Sequence, residues 1–412
     1  MNKKLMAVAV ASAFAMPSIA MAQVTMYGVI DVGYKKLHHT AADGSLISKG
    51  VGISEGGAAG NRIGFRGTEK LSNGLTAGFV IEQGLNITNG ALMSTRAANG
   101  GQQYDGLAGG TNHPVGSYGT GTNRQSYVSL DRAGLGELRL GYQYNNMYRV
   151  TTLNGYAVGA EGLPGQDLSH GLVDGGNYGG TRSNGFTWIS PKFSNFTATV
   201  QRGAGGGREE MSFGTAAGNT ANNRTEDDTV RWGLLLDYSA GPLSASFAHT
   251  DLRVRTSAVT ANTASCPLNV LGACTATSIA AAAQVNADSK LTQLGASYVV
   301  GNGLKVVMTY ADGDRRESVG ATRTDTKALQ FGAEYTMGLA RPYITLGNAS
   351  ITNQAGAKTG DFKLHQVGIR YDLSKRTTAY AMHGTTKDSG SAAVTTTIAK
   401  RSGTIVGVAH SF

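Results

Sequence analysis

Residues 301–339, GNGLKVVMTYADGDRRESVGATRTDTKALQFGAEYTMGL, contain two alternating segments set between two tight turns and joined by a longer polar stretch. Leu304, Val306, Met308 and Tyr310 take every second position on the way out, and Leu329, Phe331, Ala333 and Tyr335 do so on the way back. Between them stand polar or small residues such as Lys305, Thr309, Gln330 and Gly332. Successive side chains of a strand point to opposite faces, so each segment has one apolar face and one wet face. Ten residues at about 3.3 Å each, tilted by about 45°, cover about 23 Å, close to the apolar band of an outer-membrane barrel.

The same hairpin recurs in both directions along the chain. Short turns at Ser72-Asn73-Gly74, Ser194-Asn195, Ala240-Gly241-Pro242, Gly301-Asn302-Gly303, Met337-Gly338-Leu339 and Ser374-Lys375-Arg376 each lie between two alternating segments, and the next connection is always longer. Strands are expected to begin near residues 24, 61, 75, 124, 137, 181, 196, 229, 243, 290, 304, 326, 341, 363, 377 and 401. Long connections are expected at about 37–60, 87–123, 146–180, 204–228, 253–289, 313–325, 353–362 and 387–400. A soluble sandwich has no reason to sort its loops by length onto two ends, whereas a barrel threaded through a membrane does. The expected fold is therefore all-β: a 16-stranded antiparallel transmembrane β-barrel with long extracellular loops and short periplasmic turns. A barrel of that size is wide enough to enclose an aqueous channel.

No stretch of eighteen consecutive apolar residues follows the N-terminus, which excludes a helical membrane protein. A mean hydropathy of −0.16 is compatible with a barrel, because only every second wall residue need be apolar. Lys3 and Lys4, the apolar run Leu5 to Phe14 and the small-residue end Ala20-Met21-Ala22 mark residues 1–22 as a secretory signal peptide. Residues 23–412 then form one barrel domain. The chain has 59 glycines but only 7 prolines, and charged residues are 15% of the total, which is not the composition of a disordered chain. Cys266 and Cys274 lie in one loop of an exported protein, so a local disulfide is expected. The formal charge of +9 falls to +7 when Lys3 and Lys4 leave with the signal. That excess is spread along the strands without a basic face interleaved with aromatics, which argues against nucleic-acid binding.

In the segment from Asn61, Arg62, Gly64, Arg66, Thr68 and Lys70 share one face, and Ile63, Phe65 and Leu71 the other. Arg62 and Arg66 are therefore expected to point into the lumen. Gly52-Ile53-Ser54-Glu55-Gly56 matches the pattern of a nucleophile elbow, but that chemistry needs a strand running into a helix. His38-His39 has no further ligands beside it, so neither a metal site nor a cofactor is expected. Glu209-Glu210 and Glu226-Asp227-Asp228 read as solvated loop charge rather than as a site for divalent ions shared with lipopolysaccharide.

Several segments resemble the general porins of Gram-negative bacteria, of the Neisseria and Burkholderia type. They are Val24-Thr25-Met26-Tyr27-Gly28-Val29-Ile30-Asp31, Arg62-Ile63-Gly64-Phe65-Arg66-Gly67-Thr68-Glu69, Ser190-Pro191-Lys192-Phe193, and the ending Val406-Gly407-Val408-Ala409-His410-Ser411-Phe412. The resemblance implies a homotrimer of barrels, each with a pore narrowed by the third long loop, here about Asn146 to Gly180. Arg124 and Arg182 resemble basic wall residues of the family. The inward loop offers Glu161, Asp167 and Asp174 for the acidic side of the constriction. Val406, Val408, His410 and Phe412 resemble the terminal signal read by the barrel-assembly machinery. Family members commonly place arginines where this chain has Ala409 and Ser411, so no basic ring is expected at the periplasmic mouth.

The expected function is general diffusion of small hydrophilic solutes and ions across the outer membrane, in contact with its lipid and lipopolysaccharide, with a weak preference for anions. The rival classes are an outer-membrane barrel enzyme and an adhesin or anchor with a plugged lumen. The first would need a nucleophile near a histidine at one barrel end, and the eight histidines are scattered. The second would need a plug domain for which the chain has little length to spare.

Overall fold

The computed structural model describes residues 23–55, 57–88, 124–150, 182–204, 228–255, 286–317, 323–389 and 399–412. Its strands are β1 (Gln23–Thr40), β2 (Leu46–Glu55), β3 (Arg62–Lys70), β4 (Leu75–Gly84), β5 (Gln125–Arg132), β6 (Gly136–Tyr144), β7 (Arg182–Ile189), β8 (Phe196–Ala204) and β9 (Asp228–Ala240). They continue as β10 (Leu243–Arg255), β11 (Asn286–Val300), β12 (Leu304–Glu317), β13 (Arg323–Tyr335), β14 (Ala340–Asn353), β15 (Lys358–Asp372), β16 (Thr377–Asp388) and β17 (Lys400–Ser411). Each pairs antiparallel with its neighbours, and β1 pairs with β17 from Val29↔Ser411 to Thr40↔Lys400, which closes the barrel.

The seventeen segments make sixteen barrel strands, because β2 and β3 are two halves of one. Along its other edge β1 pairs first with β3, from Gln23↔Thr68 to Val29↔Arg62, and then with β2, from Val32↔Glu55 to Thr40↔Leu46. The interruption is held by Asp31. Its carboxylate accepts hydrogen bonds from the Ala58 and Ala59 amides and from the Tyr380 hydroxyl. Its main chain is bonded both ways by the Asn61 amide side chain, with Asn61 Nδ2 donating to Asp31 O at 3.1 Å. Gly57 is required at this point, since a Cβ there would overlap the Tyr380 hydroxyl.

The wall inverts the usual arrangement of a soluble protein. Ile30, Tyr34, Leu140, Phe331, Leu346 and Val406 are exposed on the outside, whereas Gln143, Gln201, Gln293, Gln330 and Gln366 are buried on the inside. Apolar atoms on a lipid-facing exterior cost nothing in hydrocarbon, and the lumen keeps the polar alternates. The outward sets read in β9, β12 and β13 are those the structure shows, with Leu234, Leu236, Val306, Phe331 and Tyr335 exposed.

Three expected connections prove to be mostly strand. In place of a loop over 37–60, β1 runs on to Thr40 and β2 returns from Leu46. The connections expected at 313–325 and 353–362 shrink to 318–322 and 354–357. Beyond the apolar band the outward residues are themselves polar, as at Lys36, His38 and Lys363, so alternation loses its contrast while the backbone ladder continues. Gly52 to Glu55, the elbow-like match, lies at the end of strand β2. His38 and His39 occupy successive positions of β1 and therefore opposite faces. Residues 1–22, the cysteine pair Cys266 and Cys274, and the acidic pairs Glu209-Glu210 and Glu226-Asp227 lie outside the described residues.

Candidate functional site

Three of the four arginines expected on the basic wall, Arg62, Arg124 and Arg182, come together on the inner face of β3–β7. Glu82 of β4 is their hub. Its Oε1 accepts from Arg124 Nε at 2.6 Å, and its Oε2 accepts from the Tyr27 hydroxyl at 3.0 Å and lies 3.7 Å from Arg62 Nε. Arg62 also donates from Nη1 to Gly60 O at 3.0 Å, so the held interruption before β3 sets the direction of that side chain. Arg124 continues the chain of contacts, donating from Nη2 to the Tyr144 hydroxyl at 2.7 Å. Arg182, opposite Tyr144 in register, donates to the same oxygen at 3.1 Å, and its guanidinium lies 4.5 Å from the Tyr144 ring centroid. Arg66 stands apart and stays exposed, 5.3 Å from the Tyr27 ring.

Sequence reasoning missed several members of this wall. Glu137 and Arg139 of β6 form a bidentate pair at 2.9 and 2.7 Å, over the Tyr127 ring. Glu82, Glu137 and Arg139 were legible by parity, since Phe79, Ile81, Leu138 and Leu140 occupy the outward positions of their strands. Tyr144 and Arg149 carried no such signal, because their roles depend on where the next segment goes.

That segment turns inward. The short helix α1 (Asn146–Val150) begins the third long connection, with the Asn145 side chain accepting the Tyr148 amide at 2.8 Å as a cap. Met147 and Val150 are buried against the inward residues Leu235, Ala248 and Leu291, across the lumen floor of β9–β11. Gly233 leaves room for the Asn146 side chain, and Arg149 Nη1 donates to Thr199 Oγ1 at 3.2 Å. Burial lowers the Arg149 pKa from its ordinary value, and the Asp237 carboxylate opposes that shift. An inward apolar stripe of Ala311, Ala328, Ala349 and Leu364 prolongs the seat around the wall. Glu161, Asp167 and Asp174 lie outside the described residues.

At the short-turn end the inner charges balance. Arg341 holds Asp372 by two hydrogen bonds of 2.8 Å, and Arg370 reaches Glu334 at 3.2 Å. The C-terminal row Val406, Val408, His410 and Phe412 lies along one outward face, with the Phe412 amide bonded to Gly28 O at 3.1 Å and His410 Nδ1 sharing a hydrogen bond with Thr377 at 2.9 Å. Among the described residues no group of three or more His, Cys, Asp or Glu side chains could hold a metal ion.

A wet barrel lined by arginine invites comparison with known channels. An outer membrane porin protein of Bordetella pertussis is 27% identical to this chain, over 92% of it and 93% of the relative. The major outer membrane protein P.IB of Neisseria gonorrhoeae is 31% identical over 204 residues, so the match spans about half of each, 49% of this chain and 48% of the relative. The solved anion-selective porin from Comamonas acidovorans has the same fold, with a TM-score of 0.63 at 20% identity over 95% of this chain and all of the other. The profile described as Gram-negative porin matches residues 7–391. With nearly the whole barrel inside that match, this chain belongs to the Gram-negative porin family, and its place is the outer membrane.

Proposed function

We propose that the protein is a general diffusion channel for small hydrophilic solutes and ions, with a weak preference for anions. The observation that carries this reading is the inner wall of β3–β7 together with α1, where Arg62, Arg66, Arg124, Arg139, Arg149 and Arg182 outnumber Glu82, Asp131 and Glu137. Fixed cations in a narrow aqueous passage raise the local concentration of anions, and no bond-making residue is needed. The third connection supplies the narrowing. Its first turn is seated on the far inner wall, and the apolar stripe beyond it offers a path along which Glu161, Asp167 and Asp174 would face the arginines across the pore. The working assembly is a homotrimer, as the family resemblance implies, delivered by the barrel-assembly machinery after removal of residues 1–22.

A planar bilayer recording of the purified protein tests the reading. Stable stepwise conductance with a reversal potential displaced toward anions is the expected result. A protein that inserts without conducting would refute the channel, and a cation-selective one would refute the assignment of the arginine wall.

A further inference from the structure

Arg124 divides its donors between two acceptors. Nε donates to Glu82 Oε1 at 2.6 Å, while Nη2 donates to the Tyr144 hydroxyl at 2.7 Å. A guanidinium that offers Nε to a carboxylate can also offer Nη2 to the second oxygen, and the two parallel bonds make the stronger contact. The protein uses that form elsewhere. Arg139 gives Nε and Nη2 to the two oxygens of Glu137, and Arg341 gives the same two atoms to Asp372. Arg124 departs from it: Glu82 Oε2 receives the Tyr27 hydroxyl at 3.0 Å instead, and Nη2 is turned toward Tyr144.

Tyr144 is well held for this task. It is the last residue of β6, opposite Arg182 at the start of β7, and Arg124 stands immediately before β5, so the three meet at the loop end of the wall. The Tyr144 ring stacks on Tyr148 of α1, with centroids 4.4 Å apart and planes 14° from parallel, so the inward turn of the third connection fixes its position. Arg182 donates to the same phenol oxygen at 3.1 Å, which fills both acceptor sites of that oxygen. Among the described residues the hydroxyl makes no other hydrogen bond. Two guanidiniums repel each other, and here a single neutral oxygen keeps them side by side.

We propose that Tyr144 sets the strength of the anion preference. It is a positioning residue that acts through Arg124, holding the second donor of that guanidinium away from Glu82 so that its charge is only partly neutralised. The assignment rests on the diffusion-channel reading and adds to it a determinant that carries no charge. Phe at position 144 keeps the ring and its stack on Tyr148 but removes the oxygen. Arg124 then closes on Glu82 in the two-bond form of Arg139 and Glu137, and Arg182 loses the acceptor it shares. The positive potential over the passage falls although no formal charge has changed.

The experiment measures reversal potentials of the full mature chain in planar bilayers under a dilute salt gradient, with folding of each variant checked by heat-dependent electrophoretic mobility. Tyr144→Phe should lower the anion-to-cation permeability ratio by about twofold or more. The effect should fade in 1 M salt, where the Debye length is about 3 Å. Tyr142→Phe, which removes a hydroxyl from the same strand, should leave the ratio unchanged. In an Arg124→Gln background Tyr144→Phe should cause no further loss, because the cation through which it acts is gone. An unchanged ratio in Tyr144→Phe would overturn the proposal. So would an equal loss in Tyr142→Phe, or a loss of the same size in the Arg124→Gln background, since either would show general damage to the wall. An unmodified protein that does not conduct would refute the channel reading and this assignment together. A conducting, anion-preferring channel indifferent to residue 144 would refute the assignment alone.

Discussion

Arg124 and Glu82 meet at 2.6 Å on the inner wall, their side chains only 12% and 6% exposed, and this pair ties the mouth of β5 to β4. Because Glu82 also receives the Tyr27 hydroxyl and lies beside Arg62, a single carboxylate organises the basic wall while cancelling one of its charges. Replacing it by Ala leaves buried cations without their partner, which for such pairs costs about 3 kcal/mol. Glu82→Ala should therefore lower the temperature at which the folded form is lost on heating. It should also strengthen the anion preference, a combination that a purely structural role would not produce.

Arg62→Glu with Arg66→Glu moves four unit charges on one strand face. The Debye length is about 30 Å at 0.01 M salt and about 3 Å at 1 M. The reversal potential should consequently shift strongly toward cations in dilute salt and little in concentrated salt. An unchanged value in dilute salt would mean that the narrowest zone lies on other strands.

Glu161→Gln, Asp167→Asn and Asp174→Asn together should move selectivity in the opposite direction, toward anions. The expectation depends on the third connection continuing along the apolar stripe from α1. A selectivity equal to that of the unmodified channel would place those carboxylates away from the pore.

Met147→Asp puts an unpaired charge into the seat of α1, where Met147 is 2% exposed. Removing the seat should release the start of the third connection and raise single-channel conductance, with the barrel retained. Unaltered conductance would show that the seat does not govern the width of the passage.

A bond between Cys266 and Cys274 should constrain its loop by about 2 to 3 kcal/mol in the chain-entropy picture and leave the barrel unaffected. Labelling the unfolded, non-reduced protein should find no free thiol. Titration of two would refute the pairing.

How much of this was legible beforehand depended on range. Period-two alternation is a local property, so the outward rows of β9, β12 and β13, and the inward set of Arg62 and Arg66, could be read from consecutive residues. The sixteen-strand closed barrel followed, because turn lengths and alternation together leave few other ways to hide the backbone from lipid. Alternation faded where outward residues turned polar, and the loop ends of β1, β2, β14 and β15 were hidden for that reason.

Contacts between strands far apart in the chain were decided only by closure and register. Asp31 and Tyr380 are 349 positions apart, yet the pairing of β1 with β17 and of β17 with β16 brings them together and fixes the interruption that aims Arg62. Arg124 and Arg182 gave no direction by parity because each stands at the edge of a strand, where the neighbours Glu82 and Tyr144 determine which way the side chain turns. Sequence alone determined which face each side chain within a strand takes, since that follows from the geometry of one strand. The tertiary structure decided which charges meet, since that follows from how the sheet closes on itself.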